Sequence, residues 1–273
     1  MIRPEPEIIL HLFLPERNAL LELLSSLTPD DWTTPTVCSG WSVKDVSCHL
    51  LGNDIGILKN RDESPHNNDM IWEDLVAFIN RSNYLWVEAG RRISPPVLID
   101  FLRLTGEQTI EYFNSRELYS MGRAVNWAGT EPAPVWLDIA REFTERWVHQ
   151  QHIRDAVNLP DLKEPAFLSP VLNIFTRALP HTFKDVQAEE GTSIQLDISG
   201  SAGGQWFVVK SEKKWELFKS IPSSPDSTIT LDQDTAWRLF TKGISKEQGL
   251  ARCDVFGDSD LGLKVLDTVS IIA

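Results

Sequence analysis

Glu145 and His149 stand four residues apart in ERWVHQQHIRD (145–155). At positions i and i+4 of a helix, both side chains leave the same face one turn apart. Turned toward a helical interior, a carboxylate without a partner loses its hydration at considerable cost. A divalent cation shared by the carboxylate and the imidazole removes that cost. Two donors do not make a site, so a third has to come from another helix. His49 is the candidate, inside DVSCHLL (45–51), with Val46 and Leu50 on neighbouring positions. A His/Glu/His set matches an open catalytic zinc centre, in which three protein ligands leave one position for water or substrate. Nickel, iron or cobalt suit the same nitrogen and oxygen donors.

The plainer reading stands beside this one. Glu-x-x-x-His at helical spacing is common as a solvent-facing pair, and a lone core histidine is commonly satisfied by a hydrogen bond. The motif alone leaves both open. His152, three residues past His149, reads as an outer partner of a metal-bound histidine or a surface residue in preference to a fourth ligand. Cys48 leaves its helix about 100° away from His49 and reads as a core cysteine. Asn53, one turn beyond His49, either lines a pocket or marks a polar helix exit. Trp41 and Trp147 read as core that packs the two motif-bearing stretches, and Arg154 and Asp155 as helix-end charges.

Helices have to position these residues. Apolar residues recur at helical spacing from Glu7 to Leu27. Ser42 with Asp45 is a box-like N-cap opening a helix over VKDVSCHLLGNDIGIL. Two more long helical patterns cover about Met70–Ile93 and Pro96–Tyr119, and the loop RAVNWAGTEPAP follows. A last helix runs from about Val135 to Val157, before Asn158-Leu159-Pro160. The first 160 residues thus predict a helical bundle with no strand. Beyond Pro160 the period changes. Pro165–Thr182 reads as helix; 192–199, 205–210, 214–219, 227–231 and 254–256 read as strands; 234–240 returns to helix, and Asp260 caps a final helix through Ile272. The expectation is an α bundle over 1–160 and an α+β domain over 161–273.

Composition narrows the function. The 273 residues carry a formal net charge of -13, which argues against binding nucleic acid or an anionic membrane surface. Three cysteines, an odd and sparse set, form no disulfide framework and fit a reducing cytoplasm. The first residues have neither signal-peptide nor membrane-span character.

CSGWSVKDVSCHL (38–50) and REFTERWVHQQHIRDA (141–156) resemble the two motifs of the mycothiol-dependent maleylpyruvate isomerase family, within the wider DinB-like group of four-helix metal proteins. The resemblance implies a DinB-like four-helix bundle whose metal ligands fall on His49, Glu145 and His149. DTAWRLFTKGIS (234–245) and VFGDSDL (255–261) resemble the family's second domain, which is similar to sterol-carrier folds. Two departures stand out. His152 occupies a position that usually holds Asp. The family's Gly-Arg pair, whose arginine assists the isomerase, is replaced by the run TKGIS (241–245), where Lys242 is the candidate for the missing charge. A lysine does not reproduce the bidentate grip of a guanidinium on a carboxylate.

The resemblance implies a metal-dependent enzyme, with zinc as first choice of ion. Such an enzyme activates a low-molecular-weight thiol for transfer to a small electrophile or for its cis–trans isomerisation. The expected partners are a small-molecule substrate and the thiol, with the site opening between bundle and second domain. Two alternatives use the same residues. One is a hydrolase in which the metal activates water. The other is a non-catalytic metal- or ligand-binding protein with a closed coordination shell.

Overall fold

The computed structural model describes residues 1–59 and 75–271. The chain forms two compact units, one built from Ile9–Leu118 and Glu142–Leu162, the other from Met1–Ile8, Tyr119–Arg141 and the chain from Lys163 on.

The first unit is helical. Its elements are α1 (Phe13–Ser26), α2 (Val43–Leu58), α3 (Leu75–Gly90), α4 (Pro95–Asn114) and, from Glu142 on, α5 (Val135–Ala156). The expected start of the first helix at Glu7 is corrected: helical structure begins with a 3-10 turn at Leu10, after Ile9 at φ -108° and ψ 12°. Ser42 caps α2 as anticipated. Its hydroxyl accepts from the Asp45 N–H, and the Asp45 carboxylate accepts from the Ser42 N–H. Arg91 donates to the same carboxylate at 2.8 Å, tying the cap to the end of α3. The indole of Trp86 occupies the space where a side chain on Gly52 would lie, so α3 approaches α2 closely. The part of the third helical pattern at 70–74 lies outside the described residues. Leu20, Leu24, Val43, Val46, Leu50, Leu98, Leu102 and Ile153 form the apolar core.

Beside that core lies a buried ionic network with no local signature in the sequence. Asp54 is fully buried and accepts from Arg17 at 2.7 and 3.1 Å, from Arg146 at 2.8 Å and from the Thr105 hydroxyl at 2.7 Å. Arg146 also donates to Glu142 at 3.0 Å. Glu16, equally buried, accepts from Gln150 at 2.7 Å.

The second unit contains the expected sheet. A short hairpin, β1 (Met121–Ala124) with β2 (Pro132–Pro134), corrects the expectation of a strandless first 160 residues; segments of four and three residues carry too little alternation to read. α5 (Val135–Ala156) follows. It ends in a Schellman-type stop: Asn158 takes φ 53°, and the Leu159 N–H donates to the Arg154 carbonyl at 3.0 Å. Next come α6 (Pro165–Phe175), α7 (Leu179–Thr182), β3 (Ser193–Ser199), β4 (Gly204–Lys210), β5 (Trp215–Phe218), β6 (Ser227–Asp232), α8 (Gln233–Phe240), α9 (Lys246–Leu250), β7 (Cys253–Gly257) and α10 (Ser259–Leu263). The sheet order is β5-β4-β3-β6-β7, antiparallel except for the parallel β3–β6 pair at its centre. Ile194, Leu196 and Ile198 alternate with more exposed residues along β3, as Ile229 and Leu231 do along β6.

Two further expectations change here. The final helix is capped by Asp258, not Asp260, and stops at Leu263 before a 3-10 turn over Lys264–Asp267, short of the expected end at Ile272, which lies outside the described residues. The Ser245–Gln248 capping box opens α9, a helix of five residues too short to show a period. A helical N-terminal region with a C-terminal sheet gives the mixed α and α+β class expected. Among the described residues, no helix is long and apolar enough to cross a membrane.

Candidate metal centre

α2 and α5 bring His49, Glu145 and His149 together. His49 is 4% exposed, flanked by core residues on a helix whose register is set by the Ser42 cap. Its Nε2 lies 3.1 Å from Oε1 of Glu145. The same oxygen lies 3.1 Å from Nε2 of His149, and the two imidazole centroids are 4.7 Å apart. Three donor atoms thus face one point, within 4.8 Å of one another. Glu145 retains 27% side-chain exposure, so the cluster reaches solvent on the carboxylate side.

The electrostatics follow from this arrangement. Burial opposes ionisation of Glu145, but the imidazoles of His149 and His49 outweigh it and hold the carboxyl well below the usual carboxylate range. Burial also opposes charge on His149; the Glu145 carboxylate, with Cys38 adding to it, overcomes that and pushes the group up to about 10. His49 moves the other way: burial lowers it, and the hydrogen bond to Glu145 only partly compensates.

The surroundings resolve several open readings. Asn53 Nδ2 lies 3.2 Å from His49 Nε2, so this residue faces the cluster instead of leaving the helix. The Trp41 ring sits 5.1 Å from the His49 ring. Trp147 is fully buried and donates to the Leu162 carbonyl. Cys48 is buried in the core, which raises its thiol to about 11. The surface reading of His152 is corrected: it is 6% exposed, with Nδ1 3.2 Å from Sγ of Cys38. Arg154 does more than end a helix, donating to Gln150, Pro160 and Ala19. Lys242 belongs to the other compact unit. It stands exposed on the turn after α8, in the sheet-containing unit, with φ 59°. Cys38 was missed as a neighbour of the cluster, because it lies more than a hundred residues from His149 and no local spacing connects them.

The sequence model of the mycothiol maleylpyruvate isomerase N-terminal domain matches residues 13–154, more than half of the chain. The chain belongs to that family. The crystal structure of the mycothiol-dependent maleylpyruvate isomerase resembles it with a TM-score of 0.54 at 11% identity, covering 88% of this chain and 91% of that one. A histidine-to-alanine mutant of that isomerase gives 0.53 at the same identity and coverage. Likeness at this identity speaks for the fold. A ubiquinone synthesis protein of the SCP2 type reaches only 0.22 over 29% of this chain, too low to argue from. No curated protein matches the chain in sequence.

Proposed function

We propose that His49, Glu145 and His149 hold a divalent cation, with zinc as first choice, and that the chain activates a low-molecular-weight thiol for addition to a small electrophile. The observation that carries this is the convergence of two Nε2 atoms on one carboxylate oxygen, each at 3.1 Å. The donor set fits. Tetrahedral zinc at about 2.0–2.2 Å from nitrogen and oxygen sets its donors about 3.3 Å apart. The bound cation would hold a thiol as its thiolate at neutral pH, which is the nucleophilic form.

The chain's own residues have separable parts. Burial keeps the His49 imidazole neutral and fixed in direction. Glu145 supplies the negative charge that a dication needs in a half-buried place. Asn53 presents an amide at the rim of the donor cluster. A thiol that adds to one carbon of a conjugated double bond leaves a single bond free to rotate, and its departure restores both double bond and thiol. The isomer changes while no atom is gained or lost. Mycothiol and maleylpyruvate, which name the relatives' thiol and substrate, are the first pair to assay.

Elemental analysis of protein purified without chelator or affinity metal tests the first part. In Cys38→Ser, which leaves this donor set whole, about one ion per chain is expected, and none when His49→Ala is added; retained stoichiometric metal in that double variant removes the assignment. The second part is tested by omitting the thiol. Turnover that persists without it points to the hydrolase alternative, in which water takes the nucleophile's place.

A further inference from the structure

The loop before α2 supplies a donor that the His49–Glu145–His149 cluster lacks. Cys38 opens a four-residue turn in which the Trp41 N–H donates to the Cys38 carbonyl at 2.9 Å. Gly40 takes φ 77° there, a backbone conformation that glycine adopts without steric cost. The flanking residues pair with each other: the Thr36 N–H donates to the Trp41 carbonyl at 2.9 Å, and Pro35 lies opposite Ser42. The Thr36 hydroxyl accepts from the Cys38 N–H at 3.2 Å. A pinned backbone therefore aims Sγ at α5, 3.2 Å from Nδ1 of His152 and 3.9 Å from Nδ1 of His149. Sulfur and both nitrogens lie within 4.8 Å of one another.

We propose that Cys38, His149 and His152 form a second cation site, built for a thiophilic divalent metal, through Sγ and two Nδ1 atoms. A tetrahedral ion at about 2.3 Å from sulfur and 2.0–2.1 Å from nitrogen sets S···N near 3.6 Å, and the observed 3.2 and 3.9 Å straddle that value. Binding releases the thiol proton to solvent.

The two sites share His149 from opposite edges, Nε2 toward Glu145 and Nδ1 toward Cys38. A neutral imidazole carries one lone pair for coordination and a proton on its other nitrogen. The sites therefore compete, and the chain holds one ion at a time. Thiolate favours soft ions, and carboxylate tolerates harder ones. Cadmium is drawn toward Cys38 and manganese toward Glu145, while zinc accepts either donor set. Apart from the shared histidine, this site does not depend on the function proposed above.

The test adds Co(II) alone to metal-free full-length protein and follows the near-ultraviolet thiolate-to-cobalt charge-transfer band. The band is expected in wild type and in folded His49→Ala, and absent from Cys38→Ser. Cys48 in the core and Cys253 in the sheet-containing unit remain in that last variant as controls. His152→Gln keeps every thiol and is expected to weaken the band-forming affinity on the order of tenfold or more. A wild type that binds cobalt without the band overturns the proposal and leaves the His49 site standing. A band undiminished in Cys38→Ser, a band lost from folded His49→Ala, or unchanged affinity in His152→Gln also overturns it. Cobalt that stays stoichiometric when Cys38→Ser and His49→Ala are combined counts against the His49 site instead.

Discussion

The two polar clusters that α2 and α5 share close their charge in different ways. Around Asp54, two guanidiniums meet two carboxylates, Asp54 and Glu142, and a hydroxyl fills the remaining acceptor position. Every charge there has a partner of opposite sign within the fold. Around Glu145, one carboxylate meets two imidazoles, which are neutral or charged according to what else is present. The first cluster is complete without any ligand. The second completes itself only by taking up a proton or a cation. Removal of water from a closed ion network makes it structural, because each partner is indispensable to the other. An open, partly exposed set of neutralisable donors is what a binding site needs.

The largest effect should come from breaking the closed cluster. Asp54→Asn leaves two buried guanidiniums without their shared carboxylate, and a loss of about 3–5 kcal/mol is expected in urea denaturation. His49→Ala is expected to cost the metal-free protein less, about 1–2 kcal/mol by the same measurement. Its turnover should nevertheless fall on the order of a hundredfold or more, since several kcal/mol of charge stabilisation leave with the ion. A loss of stability in His49→Ala as large as that in Asp54→Asn would erase the distinction between a structural cluster and a binding one.

A smaller effect tests the edge of the closed network. Burial raises the Glu16 carboxyl above its ordinary 4.5, against the pull of Arg17 and Arg146. A carboxyl raised in the fold gives stability that is full below the unfolded value and is lost as pH rises through the folded one. Glu16→Gln imitates the neutral acid. It is expected to be more stable than wild type at pH 7, with the gain shrinking as pH falls and absent below about 4.5. A pH-independent difference would show that the carboxyl is not raised by the fold. The smallest effect lies outside both clusters. Lys242 holds φ 59° on an exposed turn, and Lys242→Gly should raise stability by less than about 1 kcal/mol in thermal denaturation.

Local chemistry was legible in the chain. The Ser42–Asp45 box, the spacing of Glu145 and His149, the stop near Asn158 and the alternation of 193–199 each lie within a few residues of their cause. Elements too short to show a period escaped: the 121–124 and 132–134 hairpin, the five residues of α9, and the true end of the last helix. Helix period set the face on which Glu145 and His149 stand; the apolar neighbours of His49 on the second helix made it the third candidate, and the resemblance of two motifs falls on the same three residues.

Only the tertiary structure decided what those faces meet. His49 and Glu145 are 96 residues apart, Arg17 and Asp54 are 37, and Cys38 and His152 are 114. No periodicity reaches across such separations. Hydrogen bonds and helical registers act over three or four residues and are written in the sequence. Contacts between helices depend on how apolar faces pack against one another, and that packing placed a thiol, three imidazoles and a carboxylate in one corner of the bundle.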